Sequence, residues 1–201
     1  MKYQQFISHH SLRIRIRRLT IITVATTLFT LTSCEDHKKF QIKKGQVGYI
    51  TKKTTIHELN EIFKNDSIVV HLSEGAIGKN YFQDDDEYMI YEKGGKHLLT
   101  VIPKEQLDSS STIKSVQIFD RRFKTASGIN IGSNFLEVNA NNTISKVEST
   151  FSSATLFIDD LNATISINKE ELGLRAFSNQ QVSKEQIPDL ARINSFILWF
   201  Y

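Results

Sequence analysis

Cysteine is almost absent from this 201-residue sequence, which contains a single one, Cys34. One cysteine cannot form a disulfide within the chain, so a folded domain must be stabilised by burial of apolar side chains. The sequence also lacks a transmembrane span, because its longest apolar run, residues 19–31, is shorter than the roughly 20 residues that cross a bilayer. Residues 34–201 are numerous enough to bury about 68–70% of their unfolded surface.

Residues 1–33 have the organisation of a signal peptide. The basic segment from Lys2 to Arg18 contains no acidic residue, and the apolar run 19–31 follows it. The run ends in Leu31-Thr32-Ser33-Cys34, which resembles the lipobox of bacterial, Gram-negative lipoproteins. The resemblance implies cleavage before Cys34 and attachment of diacylglycerol to its thiol, with a further acyl chain such as palmitate. Two or more acyl chains form an effectively permanent membrane anchor. A buried structural cysteine behind an ordinary signal peptide is the alternative.

The basic residues of this leader make the net charge of the full sequence positive. The full sequence has 25 basic and 22 acidic residues, a net charge of +3, but five basic residues and no acid lie in residues 1–33. Residues 34–201 therefore carry 20 basic and 22 acidic residues, or −2. This charge gives no indication of a nucleic-acid partner.

Residues 34–44 are predicted to be a flexible tether, because only Phe40 and Ile42 are apolar in a charged stretch. Some Gram-negative lipoproteins are retained in the inner membrane by an aspartate after the cysteine, and this position holds Glu35. Glu35-Asp36 also resembles, in part, the acidic surface-export signal of other lipoproteins. Linker charges without a sorting role are the alternative. We expect the outer membrane and leave open whether the leaflet is periplasmic or surface-exposed.

A tandem pseudo-repeat, with a period of about 80 residues, is predicted in the segment after the tether. Residues 50–60 align with 129–139 at an offset of 79, and residues 113–116 align with 193–196 at an offset of 80. Two matches at nearly the same spacing favour tandem duplication over chance similarity of two capped helices. The predicted globular domain and its two pseudo-repeats cover residues 45–201, 45–122 and 123–201.

The aligned segments 50–60 and 129–139 are typical of helix starts. Thr55 and Asn134 stand at N-cap positions, and Glu58 and Glu137, three residues later, would complete capping boxes. Capping accounts for both glutamates without a catalytic role. The sequence therefore predicts two short helices.

The rest of the domain has the pattern of antiparallel strands. Runs rich in β-branched and aromatic residues are separated by turn residues at 93–96 and 160–162. The predicted strands are 67–72, 88–92, 97–102, 113–119, 154–159, 163–167 and 193–201. The expected class is α+β, with a mostly antiparallel sheet and two short helices. In architecture alone, this arrangement resembles the paired helix-plus-sheet repeats of secreted inhibitor and envelope-assembly modules.

No residue can be assigned a catalytic, metal-binding or cofactor-binding role from the sequence. The histidines after the leader lack the i, i+4 spacing of a zinc pair, and the acidic run 84–87 lacks the alternating ligands of a calcium loop. Residues 74–79 lack the first glycine of a phosphate loop, and no Gly-x-Ser-x-Gly motif occurs. Trp199 and its aromatic neighbours fit a ligand platform, but aromatic residues that alternate along a final strand are more often half core and half edge cover.

These observations favour a non-enzymatic, lipid-anchored binding or assembly module of the cell envelope. Its expected partners are the membrane, through lipid on Cys34, and an envelope protein or glycan. No cofactor and no nucleic acid is expected. A metal-assisted envelope hydrolase using His71, His97 and residues 84–87 is the alternative, and a structural spacer is a further one.

Overall fold

The computed structural model describes residues 36–73 and 85–201, in which antiparallel strands predominate over a few short helices. The predicted α+β class with a mostly antiparallel sheet is confirmed. Contacts divide the chain between Lys38 and Lys39, and only residues 36–38 of the first unit are described. The second unit, from Lys39 onwards, contains both sheets.

The helices and strands are numbered in chain order. The helices are α1 (Asp36–Lys39), α2 (Leu59–Ile62) and α3 (Phe135–Asn141). A small sheet contains β1 (Ile42–Lys43), β2 (Gln46–Val47) and β3 (Ile50–Thr51). The large sheet contains β4 (Ser67–His71), β5 (Glu87–Tyr91), β6 (His97–Pro103), β7 (Ile113–Ile118), β8 (Ile144–Ser149), β9 (Ser153–Ile158), β10 (Ala163–Asn168) and β11 (Ser195–Trp199). Two 3₁₀ turns lie at Lys169–Leu172 and Lys184–Gln186.

The large sheet is an all-antiparallel arrangement in the order β4-β5-β6-β7-β11-β10-β9-β8. Strands β4–β7 fill one half, and β8–β11 fill the other half in the reverse order. The halves meet at β7 and β11, where Gln117 lies opposite Ile197 and Ser115 lies opposite Trp199. The last strand of the chain is therefore at the centre of the sheet.

The hydrophobic core lies on one face of this sheet. Along β10 and β11, buried side chains such as Ile165 and Leu198 alternate with partly exposed ones, as the two-residue period of a strand dictates. The buried residues of the small sheet and of helices α2 and α3, including Ile50, Leu59 and Phe135, belong to the same core cluster. The helices and the small sheet thus cover the inner face.

One predicted helix start is confirmed, and the other is only partly correct. Asn134 forms a complete capping box with Glu137 at the start of α3. At α2, the carboxylate of Glu58 accepts hydrogen bonds from the amide and hydroxyl of Thr55, at 2.8 and 3.2 Å. The Thr55 hydroxyl is a donor in this pair and does not cap an amide, and the helix begins only at Leu59.

The tether prediction is wrong for residues 40–44, which are part of the folded unit. The Ile42 amide donates to the Lys124 carbonyl at 2.8 Å, and the Ile42 side chain is 1% exposed. The ring of Phe40 packs edge-on against that of Phe123, with centroids 5.0 Å apart. Two apolar residues are enough to fix this segment, because each reaches a hydrophobic site on the core. Gly48 permits the turn that follows, since at its φ of +57° a Cβ would lie 2.4 Å from the Lys39 carbonyl oxygen.

Candidate binding surface on the open face of the sheet

The side chains that alternate with the core residues form a second face of the large sheet, which we call the outer face. One row of paired residues crosses it from strand to strand. The row consists of Met89, Thr100, Gln117, Ile197, Thr164, Phe157 and Lys146. None of these belongs to the hydrophobic core cluster. A solvated sheet face is normally polar, whereas this one mixes aromatic and aliphatic side chains with hydroxyl and amide groups.

A cleft of about 450 Å³ opens on the outer face over β9, β10 and β11, and we call it the Trp199 cleft. Its lining includes Thr155, Phe157, Asp159, Asn162, Trp199 and Tyr201. The indole Nε1 of Trp199 donates a hydrogen bond to Thr164 Oγ1 at 3.1 Å, which fixes the orientation of the ring. This volume is within the range of about 300–1,000 Å³ that is usual for ligand sites.

The rings of Trp199 and Tyr201 are nearly parallel, with an interplanar angle of 7° and centroids 6.4 Å apart. We call this pair of parallel rings the aromatic shelf. Tyr201 is 81% exposed, so its ring does not contribute to the core. The predicted alternation of the last strand is present, because Phe196 and Phe200 are buried while Trp199 faces outward.

A second, smaller cleft of about 260 Å³ adjoins the aromatic shelf. It shares Asn162, Trp199 and Tyr201 with the Trp199 cleft, and Lys44 and Lys52 also line it. Lys44 Nζ donates to the Asp159 carbonyl at 3.0 Å. The shelf therefore has hydroxyl and amide groups along one side and two cationic side chains along the other.

A second aromatic group lies at the other end of the outer face. The imidazole of His97 is stacked between the rings of Tyr91 and Phe119, with centroid distances of 4.6 and 3.9 Å. His97 Nε2 is 3.1 Å from both the Leu99 carbonyl oxygen and Thr100 Oγ1. Burial lowers the pKa of His97 below its usual value, and the hydrogen bond with Leu99 opposes this only in part. His97 is therefore part of an aromatic stack.

The histidines of the predicted metal alternative are not brought together. Glu87 lies opposite His71 and Tyr91 lies opposite His97, so the two histidines are offset along β5 by about 13 Å. Within residues 36–73 and 85–201, no group of three or more His, Cys, Asp or Glu side chains is placed to hold a metal ion.

The acidic run 84–87 has a structural role in the part that is described. Asp86 is buried, and its carboxylate accepts from the amide and hydroxyl of Ser73, both at 2.8 Å, and from the Leu107 amide at 2.6 Å. Burial alone would raise the pKa of Asp86, but these hydrogen bonds outweigh it and lower the pKa. Asp85 forms an ion pair with Lys114. Asp86 thus connects the loop segments at Ser73 and Leu107, and Asp85 is paired with a residue of β7.

A network of three ion pairs surrounds Asp120, which is 1% exposed. Its carboxylate accepts from the Arg122 guanidinium at 2.6 Å and from Lys96 Nζ at 2.9 Å, and Arg122 also binds Glu92 at 2.8 Å. Burial would raise the pKa of Asp120, but the hydrogen bonds from Arg122 and Lys96 lower it from 3.8 to about 2. The sequence contains no motif that indicates a role for Asp120, because only the turn after β7 brings its carboxylate to its partners.

Asp120→Asn is expected to reduce the free energy of unfolding by roughly 2 kcal/mol at pH 7, as a pKa lowered by almost two units implies. A lowered folded-state pKa stabilises the protein above pH 4, and this contribution disappears as the pH falls towards 2. Urea unfolding at pH 7 and pH 2.5 should therefore show a wild-type advantage that shrinks in acid. The control Asp189→Asn, at an exposed position, should change stability by less than about 0.5 kcal/mol. Equal stability of wild type and Asp120→Asn at pH 7 would contradict the prediction.

Several sequence predictions fall outside the described residues. These are the signal peptide, the lipidation residue Cys34, Glu35, and the loop 74–84 with its glycines and Asp84. Within the part of the chain that is described, no helix is long and apolar enough to cross a membrane.

Comparison with known proteins identifies no family. No protein-family profile matches the chain, and no curated protein has a significantly similar sequence. Among solved structures, that of the uncharacterized protein yfeY from Escherichia coli is similar, with a TM-score of 0.49 and 10% sequence identity. The likeness covers 79% of this chain and 99% of that chain. The function must therefore be argued from the side chains of this protein.

Proposed function

We propose that this protein is a lipid-anchored lipoprotein of the bacterial cell envelope that acts as a non-enzymatic binding or assembly module. The observation that carries the binding role is the open outer face of the eight-stranded sheet. The helices and the small sheet contribute their buried residues to the opposite face. Partly exposed Phe157, Ile197 and Trp199 on the outer face are more apolar than a solvated sheet face requires.

The membrane part of the proposal rests on the sequence Leu31-Thr32-Ser33-Cys34 after a basic and then apolar leader. In this proposal, residues 1–33 are removed, Cys34 carries the lipid, and the folded unit follows within a short stretch of chain. The proposed location is the outer membrane. The proposed partner is an envelope protein or a glycan.

We also propose that the large sheet arose by tandem duplication, with the segments 45–122 and 123–201 as the two units. Gln117 and Ile197 occupy equivalent positions in these units and lie directly opposite each other in the central strand pair. Outside the strands, the bridge between Thr55 and Thr112 in one unit recurs in the other as the bridge between Asn134 and Arg192. Pairing of equivalent residues is typical of an interface with two-fold symmetry, so the central pair supports an ancestral symmetric dimer. The recurring bridge supports the repeat itself.

The duplication explains why the outer face is broad and has an aromatic group at each end. Phe119 and Trp199 are also equivalent in the two units. Phe119 directly follows β7 and Trp199 ends β11, and these antiparallel strands point in opposite directions. Each end of the face therefore carries an aromatic group, one around Phe119 and one around Trp199. A partner that spans the face would contact both groups.

In-cell photocrosslinking tests the binding role. A photoreactive phenylalanine analogue at Ile197, in the middle of the outer face, is expected to give a discrete crosslinked product with one envelope component. The matched control position is Leu136, which is 48% exposed on α3 and lies on the opposite side of the core. We expect at least a tenfold stronger product from position 197. Equal products from both positions, or none from position 197, would contradict a binding role for the outer face.

A further inference from the structure

The aromatic shelf combines two features that rarely occur at a solvent-exposed sheet face. Trp199 and Tyr201 present flat rings in nearly one orientation, and the Thr164 hydroxyl holds the indole in place. Beside them, the hydroxyls of Thr155 and Ser166 lie 3.2 Å apart on the wall of the Trp199 cleft. A ligand in this cleft would meet apolar ring faces and hydrogen-bonding groups at the same time.

This combination matches the chemistry of a sugar ring. A pyranose has a C–H face that packs on an aromatic ring and a rim of hydroxyls that need donors and acceptors. Asn162 can donate and accept, Asp159 can accept, and the hydroxyls can do both. A purely apolar ligand would leave these polar groups without partners, which costs binding free energy.

The second cleft adds a preference for negative charge. Lys44 and Lys52 line the second cleft, on the far side of the aromatic shelf. The two clefts share Asn162. Lys44 uses one of its three N–H donors on the Asp159 carbonyl, so two remain for a ligand. A carboxylate on the sugar would be placed beside two ammonium groups, a favourable pairing of opposite charges.

We propose that the aromatic shelf, with the two clefts beside it, binds a saccharide that carries a carboxylate. The sugar ring packs on Trp199 and Tyr201, its hydroxyls bind the polar wall of the Trp199 cleft, and its carboxylate contacts Lys44 and Lys52. This inference rests on the proposed binding function and names the ligand class for one end of the outer face.

Fluorescence of Trp199, the single tryptophan of the chain, reports directly on this site. The full-length protein, in a zwitterionic detergent without a sugar headgroup, is titrated with the disaccharide N-acetylglucosaminyl-N-acetylmuramic acid. Chitobiose is the neutral control, because it lacks the lactyl carboxylate. We expect a saturable change in emission, with at least threefold tighter binding of the acidic disaccharide. That preference should weaken in high salt. Calorimetry registers binding even if the emission does not change.

Variants separate the two halves of the site. Tyr201→Ala should weaken binding of both disaccharides about three- to tenfold, as loss of an aromatic contact predicts. Lys52→Ala should reduce the preference for the acidic disaccharide and leave chitobiose binding unchanged. Phe177→Ala, at an exposed aromatic residue that lines neither cleft, is the matched control and should leave both affinities unchanged.

Absence of saturable binding by both methods would overturn the inference, and so would equal affinities of wild type and Tyr201→Ala. Tighter binding of chitobiose than of the acidic disaccharide would overturn the carboxylate preference. If position 197 still crosslinks to an envelope component in any of these cases, the ligand class is wrong while the binding function stands.

Discussion

Cys34→Ser is expected to abolish lipid labelling of the protein and to leave a precursor that retains residues 1–33. Serine has no thiol to receive diacylglycerol, and cleavage before the residue would follow that lipidation in a protein with this lipobox. Without acyl chains, each stabilised by about 0.8 kcal/mol per buried methylene, the proposed membrane anchor would be lost. Labelling with a radioactive or clickable fatty acid, and mass analysis of the product, measure the two effects.

The matched control is Ser33→Ala, which keeps a small residue before the cysteine and should be lipidated and cleaved as usual. The fold of both variants should be unchanged, because the folded unit begins at Lys39 and its core residues begin at Ile42. A Cys34→Ser protein that still incorporates fatty acid, or that is cleaved normally, would show that residues 31–34 are not a lipobox.

Leu198→Ala is expected to be strongly destabilising, with a loss of about 2–5 kcal/mol in the free energy of unfolding. Leu198 is fully buried in β11 and pairs with Val116 on one side and Ala163 on the other. The change leaves a cavity where the two halves of the sheet meet. Since small domains are stable by only about 5–15 kcal/mol, the urea midpoint should fall markedly.

The neighbouring Ile197→Ala is the control, because its side chain lies on the outer face and is partly exposed. It should cost less than about 1 kcal/mol, since little packed volume is lost. Similar losses for both variants would mean that the outer face is as closely packed as the inner one. The proposed binding surface would then be wrong.

The strands of the large sheet could be predicted from the sequence because most of them are buried on one face. In β10 and β11, burial of one face appears in the sequence as an apolar residue at every second position. These residues are Ile165, Ile167, Phe196 and Leu198. Strand β8 was not assigned a range, because it lies at the sheet edge and its exposed residues are polar or charged. The α3 helix start was predictable, since a capping box is a local interaction.

The errors and omissions concern contacts between residues distant in sequence. The sequence predicts a tether at Phe40 and Ile42 because their partners, Phe123 and Lys124, lie far along the chain, beyond β7. For the candidate site, the sequence offers only a ligand platform as one of two interpretations of Trp199. The small cleft beside it is lined by Lys44 and Lys52. These residues are distant from Trp199 in sequence, and only the fold places them next to the aromatic shelf. Periodicity predicts which face a side chain occupies, but not which distant segment it meets.

The central position of β11 also determines when this protein can fold. Strands β7 and β10 are both edges until β11 pairs with them, and β11 begins only at Ser195, far along the chain from the end of β7 at Ile118. Until β11 pairs with both of them, the chain therefore holds two incomplete half-sheets, each with an unpaired inner edge. Such late, long-range pairing keeps folding slow.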